Sequence, residues 1–95
     1  MSDILESTKK RMSKQHDIEE CHKVLGFFEV PQSYHIYAIM KYLEMPKDKV
    51  KTVLSVLLRF ALIYNFYIKN SYNEDFSRYE LSKLGKAYKK RFKII

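Results

Sequence analysis

Residues 45–63 read MPKDKVKTVLSVLLRFALI, and they join a helix breaker to a strongly amphipathic segment. Proline interrupts a helix that precedes it but is well tolerated in the first turn of the next one, so a helix can begin at Pro46 or Lys47. Beyond that point the apolar side chains recur at intervals of three and four residues, as on the buried face of a helix. These positions are Val50, Leu54, Leu57, Leu58 and Ala61. The pattern predicts an amphipathic helix over residues 47–61.

An earlier helix is predicted to end just before this segment. Ser33 is a residue type favoured at the N-cap, and it precedes a second apolar stripe with helical spacing. That stripe consists of Ile36, Ile39, Met40 and Leu43. Two helices joined by a turn of about three or four residues, the second strongly amphipathic, form a helix-turn-helix. The sequence therefore predicts this motif over residues 33–62.

Two more helices are predicted on the N-terminal side. The first lies within residues 1–16, and its stripe is formed by Ile4, Leu5, Thr8 and Met12. The second begins at Asp17, and its stripe is formed by Ile18, Cys21, Leu25 and Phe28. Gly26 and residues 29–32 weaken and then end that helix. Residues 17–62 are thus expected to form a three-helix unit that follows an N-terminal helical extension.

The period of the pattern changes from helical to alternating after residue 62. Side chains alternate in residues 63–69 and again in 76–81, which is typical of strands, and a polar turn at 70–75 joins them. A β-hairpin is therefore predicted over residues 63–81. Ser82 is predicted to cap a last helix, over residues 82–95, whose stripe is formed by Leu84, Ala87, Tyr88 and Phe92. The chain is expected to be a single mainly α (α+β) domain, residues 1–95, with the order α-α-α-β-β-α after an extra N-terminal helix.

The composition limits the class of protein. The chain has 95 residues, of which 46% are hydrophobic, enough for one packed core. No apolar run approaches the roughly 20 residues that span a bilayer, and the charged N-terminus is unlike a secretory signal. These patterns predict a cytoplasmic protein without a membrane partner.

The charge is distributed unevenly along the chain. Residues 1–40 hold five Lys/Arg and six Asp/Glu, a net of −1, whereas residues 41–95 hold thirteen and five, a net of +8. A one-sided basic surface attracts polyanions such as nucleic acid. A moderate positive charge is also common in small proteins that are merely soluble, so the charge alone does not separate these two cases.

Two segments resemble elements of winged helix-turn-helix regulators. Residues 45–63 resemble the recognition-helix segment of that family, with Ala61 where the family usually has glycine. Residues 79–88, YELSKLGKAY, are similar to the Tyr-x-Leu-Thr-x-x-Gly element that closes the wing and starts the final helix. The resemblance covers roughly residues 17–92 and extends to the MarR and PadR groups and to small winged-helix proteins of archaea and archaeal viruses. For a viral protein the expected location would be the host cytoplasm.

The resemblance implies a sequence-specific transcriptional regulator that binds double-stranded DNA. The helix at about 47–61 would enter the major groove as the recognition helix, and the hairpin wing would touch the flanking backbone or minor groove. Four residues on the outer face of that helix are expected to reach base edges or phosphates: Lys51, Thr52, Ser55 and Arg59. Four cations at the helix start and near the ends of the wing are expected to contact phosphates: Lys47, Lys49, Lys69 and Arg78. Asp48, on the same helix face, and Glu74 and Asp75, at the wing tip, would repel phosphate, and an ordinary solvated face is the alternative for the whole set.

A second apolar stripe raises the question of a partner subunit. Val53, Val56 and Phe60 extend the apolar arc beyond what a small three-helix core needs, so either the N-terminal helix or a second copy should cover them. The last helix is basic, which suits a solvated tail, an auxiliary phosphate contact or a role in a dimer. In related regulators the terminal helices form a dimer interface. A homodimer through the N- and C-terminal helices, on a pseudo-palindromic site, is therefore expected.

No metal site, catalytic site, cofactor or small-molecule ligand is predicted. His16, Cys21 and His22 are close in sequence, but the adjacent Cys21 and His22 point to different helix faces, and no second cysteine exists. Cys21 is expected to be a small core residue, and it would form an intersubunit disulfide only if it faced a dimer partner. The sequence contains no glycine-rich phosphate loop and no convincing catalytic arrangement, so the protein is not expected to be an enzyme.

Two other functions compete with DNA binding. A winged-helix protein–protein interaction module in a transcription or replication assembly would suit the extra apolar surface and the acidic wing tip. A basic amphipathic helix over residues 83–93 would suit an anionic membrane surface.

Overall fold

The computed structural model describes residues 3–29, 32–67 and 77–94. Within these ranges there are five helices and three strands. In chain order they are α1 (Asp3–Gln15), α2 (Ile18–Phe27), β1 (Ser33–His35), α3 (Ile36–Leu43), α4 (Lys47–Arg59), β2 (Ile63–Tyr67), β3 (Ser77–Leu81) and α5 (Lys83–Phe92). The prediction of a mainly helical α+β chain is confirmed. None of the described helices is long and apolar enough to cross a membrane.

The helix starts follow from side chains that satisfy free backbone N–H groups. The Asp17 carboxylate accepts a hydrogen bond from the Glu19 amide at 2.9 Å and starts α2. Ser82 caps α5 as predicted, since its Oγ accepts from the Gly85 amide at 2.9 Å. The predicted cap of α3 is wrong. Ser33 lies in β1, and the Nδ1 of His35 accepts from the Tyr37 amide at 3.2 Å instead.

The sheet has one strand more than the predicted hairpin. Its order is β1-β3-β2, and both pairings are antiparallel. β1 has only three residues, too few to show alternation, so its pattern was not recognisable as a strand. Its partner lies far along the chain, since Ser33 pairs with Glu80 and His35 with Arg78. The predicted ends of the hairpin strands and their turn, residues 68–76, lie outside the described residues.

The core is formed where α2, α3 and α4 pack against one another and against the inner face of the sheet. Val24, Leu25, Ile39 and Leu57 are fully buried there. α5 packs closely on the segment after α4, because a Cβ on Gly85 would overlap the carbonyl oxygen of Leu62. The glycine at this position therefore sets how near α5 lies to the rest of the fold.

The second apolar stripe of α4 is covered within the chain. Val53 and Val56 are buried in the same cluster as Met12 of α1, and the Arg11 guanidinium lies 5.6 Å from the centre of the Phe60 ring. The stripe is therefore covered within one chain, and the N-terminal helix contributes Met12 to the core cluster and Arg11 to the Phe60 ring. The need for a partner subunit to bury these residues disappears.

The terminal helices hold each other in the same chain. Arg91 of α5 donates to the Glu6 carboxylate at 2.6 Å, and the Lys9 ammonium lies 4.8 Å from the centre of the Phe92 ring. One edge of α1 thus contacts α5, while the edge that carries Arg11 contacts the end of α4. α1 and α5 were expected to contact a second copy, and part of their surface instead forms contacts within one molecule.

Candidate nucleic-acid interface

One face of α4 is open to solvent along its length. Its exposed residues Asp48, Thr52, Ser55 and Arg59 are spaced by four, three and four positions, which places them in one line on a helix. Lys51 is exposed beside this line. Thr52 and Ser55 are short, so another molecule could approach the helix closely at its middle. The sequence grouping of Lys51, Thr52, Ser55 and Arg59 therefore corresponds to a continuous exposed surface.

The hydroxyl of Thr52 is already engaged with its own helix. Its Oγ1 donates to the Asp48 carbonyl oxygen at 2.9 Å, a bond between residues four apart. The oxygen can still accept a hydrogen bond, for example from a base amino group. Asp48, the one acid on the line, is at the N-terminal turn, where its charge suits the helix dipole.

Lys49 belongs to a small network of charged side chains on one flank of α4. Its Nζ lies 3.0 Å from Glu20 Oε2, and Glu20 Oε1 lies 2.8 Å from His16 Nε2. The hydrogen bond from His16, and then that from Lys49, hold the pKa of Glu20 below its ordinary value. A phosphate that binds Lys49 must compete with this carboxylate. A shallow groove separates the α1–α2 junction from α4 here, lined by His16, Pro46, Asp48, Lys49 and Thr52.

Arg59, at the other end of α4, is also held by a neighbour. Its Nη1 donates to Gln15 Oε1 at 2.6 Å. Both side chains are exposed, so the guanidinium is oriented while most of its N–H groups stay accessible. The contact joins residues 44 positions apart. No sequence pattern indicates such a pair, and the prediction missed Gln15 for that reason. The His16–Glu20 pair, four residues apart, is a local spacing that the prediction did not use.

Lys47 connects the start of α4 to α3. Its Nζ lies 5.4 Å from the centre of the Tyr37 ring, which stacks on His35 with the ring centres 5.0 Å apart. The cation is half-buried and sits over an aromatic face, a favourable electrostatic arrangement. Its predicted contact with phosphate would add to this interaction.

Arg78 has a structural role on β3. Its Nε donates to Ser33 Oγ at 2.9 Å and its Nη2 to the Ser33 carbonyl oxygen at 2.8 Å. These bonds fasten β1 to β3 and leave fewer donors for a phosphate than the sequence suggested. Lys69, the other cation predicted on the wing, lies outside the described residues.

The outer face of the sheet carries aromatic side chains that the sequence analysis did not assign to any function. Tyr64 is 45% exposed and Phe66 36% exposed, and their ring centres are 6.3 Å apart. Phe66 pairs in register with Arg78, so the two side chains stand on the same face. Burial, and then a hydrogen bond to Glu80, raise the pKa of Tyr64, which keeps its hydroxyl protonated.

The histidines and the cysteine have other contacts. Among the described residues no three His, Cys, Asp or Glu side chains are grouped as metal ligands would be. His22 Nε2 lies 2.7 Å from the Tyr88 hydroxyl, between α2 and α5. Cys21 is a free cysteine with 0% exposure, and burial raises the pKa of its thiol to about 11. It lies in the core, as expected, and not on a surface that a second copy could reach.

Comparison with known proteins gives no match. No protein-family model matches the chain. No curated protein matches it, and no solved structure matches it. Function is therefore assigned from the residues and the geometry described above.

Proposed function

We propose that the protein binds double-stranded DNA as a sequence-specific transcriptional regulator, with α4 in the major groove. The observation that carries this proposal is the open line of α4, formed by short polar side chains and Arg59 and flanked by Lys47, Lys49 and Lys51. α3 and α4 are joined by only residues 44–46, the spacing of a helix-turn-helix. β1 precedes this pair, β2 and β3 follow it, and their sheet order β1-β3-β2 is consistent with a winged-helix arrangement.

The dimensions of α4 suit the groove. The major groove is about 12 Å wide and admits one α-helix, provided that the helix face is not blocked by large side chains. Arg59 can donate two hydrogen bonds to a guanine edge, and Thr52 and Ser55 can meet base edges at the middle of the helix. The lysines around the helix start would then lie near the phosphates on the rim of the groove.

The electrostatic field favours the same partner. The half of the chain that contains α4, the hairpin and α5 has thirteen Lys/Arg and five Asp/Glu, a net charge of +8. Such a surface attracts DNA before specific contacts form, and the resulting affinity depends strongly on salt. The charge supports binding to a polyanion, while the shape of α4 favours the duplex over other polyanions.

Fluorescence anisotropy with labelled duplex DNA at several salt concentrations tests this proposal. The double variant Lys51→Ala/Arg59→Ala should bind at least tenfold more weakly, since one bidentate base contact is worth about 1–3 kcal/mol. The matched control, Lys23→Ala/Lys41→Ala, removes two exposed cations from α2 and α3 and should change affinity much less. Folded wild-type protein that binds no duplex even at low salt would contradict the proposal, and so would equal losses in the two variants.

A protein–protein interaction module is the second candidate function. The extra apolar surface of α4 was one reason to expect such a module, but Val53 and Val56 are buried within the chain. The exposed rings of Tyr64 and Phe66 on the outer face of the sheet favour it instead. The variant Tyr64→Ser/Phe66→Ser separates the two functions, because DNA binding through α4 should survive this change. A tenfold loss of DNA affinity in that variant would instead place the sheet in the DNA interface.

A further inference from the structure

The second half of α1 runs beside the end of α4. Gln15 accepts a hydrogen bond from Arg59 at 2.6 Å, and Arg11 lies 5.6 Å from the centre of the Phe60 ring. Residues 11 and 15 are one helical turn apart, so they form one edge of α1. That edge therefore adjoins the surface through which α4 would face DNA.

This edge is basic. Arg11 and Lys14 are both exposed and stand one turn apart on α1, and neither has an acidic partner among the described residues. Glu6, an acid of the same helix, is held by Arg91 on the edge that faces α5. Glu20 of α2 is shared between His16 and Lys49.

We propose that Arg11 and Lys14 of α1 contact the DNA backbone and that Gln15 is a positioning residue for Arg59. This inference rests on the proposed function of α4. Arg11 and Gln15 contact the C-terminal end of α4 through their side chains, and the major groove is only about 12 Å wide. When α4 lies in the groove, the long basic side chains on this edge of α1 are therefore expected within reach of the phosphates on one rim.

Gln15 would act through the orientation of the Arg59 guanidinium. Arginine has five N–H donors, and the bond to Gln15 uses one of them, so four remain, of which a guanine edge needs two. An exposed arginine otherwise samples many rotamers, and only a few of these point along the line of α4. α1 would thus contribute to recognition, and the role in dimerisation that is expected for it stays a separate prediction.

The phosphate contacts are tested by the salt dependence of binding to a short mixed-sequence duplex. The variant Arg11→Gln/Lys14→Gln keeps side-chain length over Phe60, and the control Lys23→Gln/Lys41→Gln removes the same charge from exposed positions of α2 and α3. The first should weaken binding about tenfold at low salt and reduce the slope of log K against log salt by about 2, because each phosphate contact adds about 0.9. The control should leave the slope near its wild-type value.

The outcomes separate this inference from the proposed function. Equal slopes in wild type and Arg11→Gln/Lys14→Gln, with wild type bound to DNA, would overturn only the role of α1. Failure of the folded wild type to bind would overturn both. Thermal melting of each variant shows whether the fold is intact, and the glutamine substitutions are made at exposed positions to preserve it.

The role of Gln15 has its own test. Gln15→Met removes the acceptor but keeps the length of the side chain, whereas Gln15→Glu keeps an acceptor for Arg59. Gln15→Met should reduce discrimination between a selected site and a scrambled duplex several-fold without changing the salt slope, and Gln15→Glu should restore discrimination. The loss of discrimination caused by Gln15→Met should vanish when Arg59 is also changed to Ala. The same loss in the absence of Arg59 would overturn the positioning role of Gln15.

Discussion

Ala61 adopts a backbone conformation that suits glycine. Its φ is 61°, in the left-handed region, and it directly follows the last turn of α4. The Cβ of a non-glycine residue is crowded by the backbone there, at a cost of about 1–2 kcal/mol. The family that the sequence resembles usually has glycine at the corresponding place. The side chain is exposed, so it makes little packing contact in return.

Ala61→Gly should therefore stabilise the protein. The relief of backbone strain exceeds the added chain entropy of glycine, about 0.5–1 kcal/mol, so we expect a gain of up to about 1 kcal/mol in the free energy of unfolding. The control is Ala38→Gly at an exposed position within α3, which should cost about 1 kcal/mol. Urea denaturation measures both. A loss of stability in Ala61→Gly would show that the strain is absent.

Gly85 lies at the same junction between α4 and α5, and there the chain has a glycine that no other residue could replace. Any side chain there would overlap the Leu62 carbonyl oxygen, which also accepts from the Ser82 amide at 3.1 Å. Ser82 Oγ in turn donates to the Ala61 carbonyl oxygen at 2.7 Å. Ser82 and Gly85 thus close the corner between α4, β3 and α5.

At the level of elements, the helices were predictable and β1 was not. The stripe of α4 and the cap of α5 are local signals, since they depend on residues within one or two turns of each other. β1 is stabilised by Arg78 and by pairing with β3, far along the chain, while its own three residues carry no periodic signal. The local rule for N-caps predicts a cap at Ser33, because no signal in the neighbouring sequence indicates the distant strand that pairs with it.

The contact between α2 and α5 contains a titratable pair. His22 Nε2 lies 2.7 Å from the Tyr88 hydroxyl, and burial, followed by the nearby Lys9 charge, lowers the pKa of His22 from 6.5. Burial also raises the pKa of Tyr88. Both shifts favour the neutral forms, so this helix pair is packed around an uncharged hydrogen bond.

Acidification should loosen this contact. The unfolded chain binds a proton at His22 near pH 6.5, whereas the folded chain does so only at lower pH. The stabilisation is therefore complete above about pH 6.5 and is lost as the pH falls through the folded pKa. His22→Gln does not titrate, so its melting temperature should fall less than that of wild type between about pH 7 and about pH 5. Parallel profiles for the two proteins would contradict this account.

On the scale of the whole molecule, the open face of the candidate site was predictable, but its surroundings were not. Lys51, Thr52, Ser55 and Arg59 share a face because of helical periodicity alone. Their neighbours come from α1, α2 and α3, and only the packed structure brings them to α4. Gln15 is an ordinary polar residue in the sequence, and its importance arises from a contact across 44 positions.

A homodimer on a pseudo-palindromic site stays a prediction. α1 and α5 contact each other within one chain, so a dimer through these helices would use their outer faces, which carry Lys10, Lys86 and Lys90. Like charges repel, and salt screens them, so such a dimer should tighten as salt rises, while DNA binding weakens. Sedimentation equilibrium at low and high salt measures the first effect. A monomer at every concentration and salt, or selected DNA sites without inverted half-sites, would contradict the dimer.

The short strand β1 also bears on the order in which the parts of the fold come together. Its bonds to β3 join Ser33 to Arg78 across 45 residues, whereas the helices form from neighbouring residues. Closing a longer loop adds only about 0.6 kcal/mol for each doubling of its length, but such distant contacts form slowly. We therefore expect β1 to be among the last pairings made during folding, so that a substitution such as Arg78→Ala should change the unfolding rate more than the folding rate.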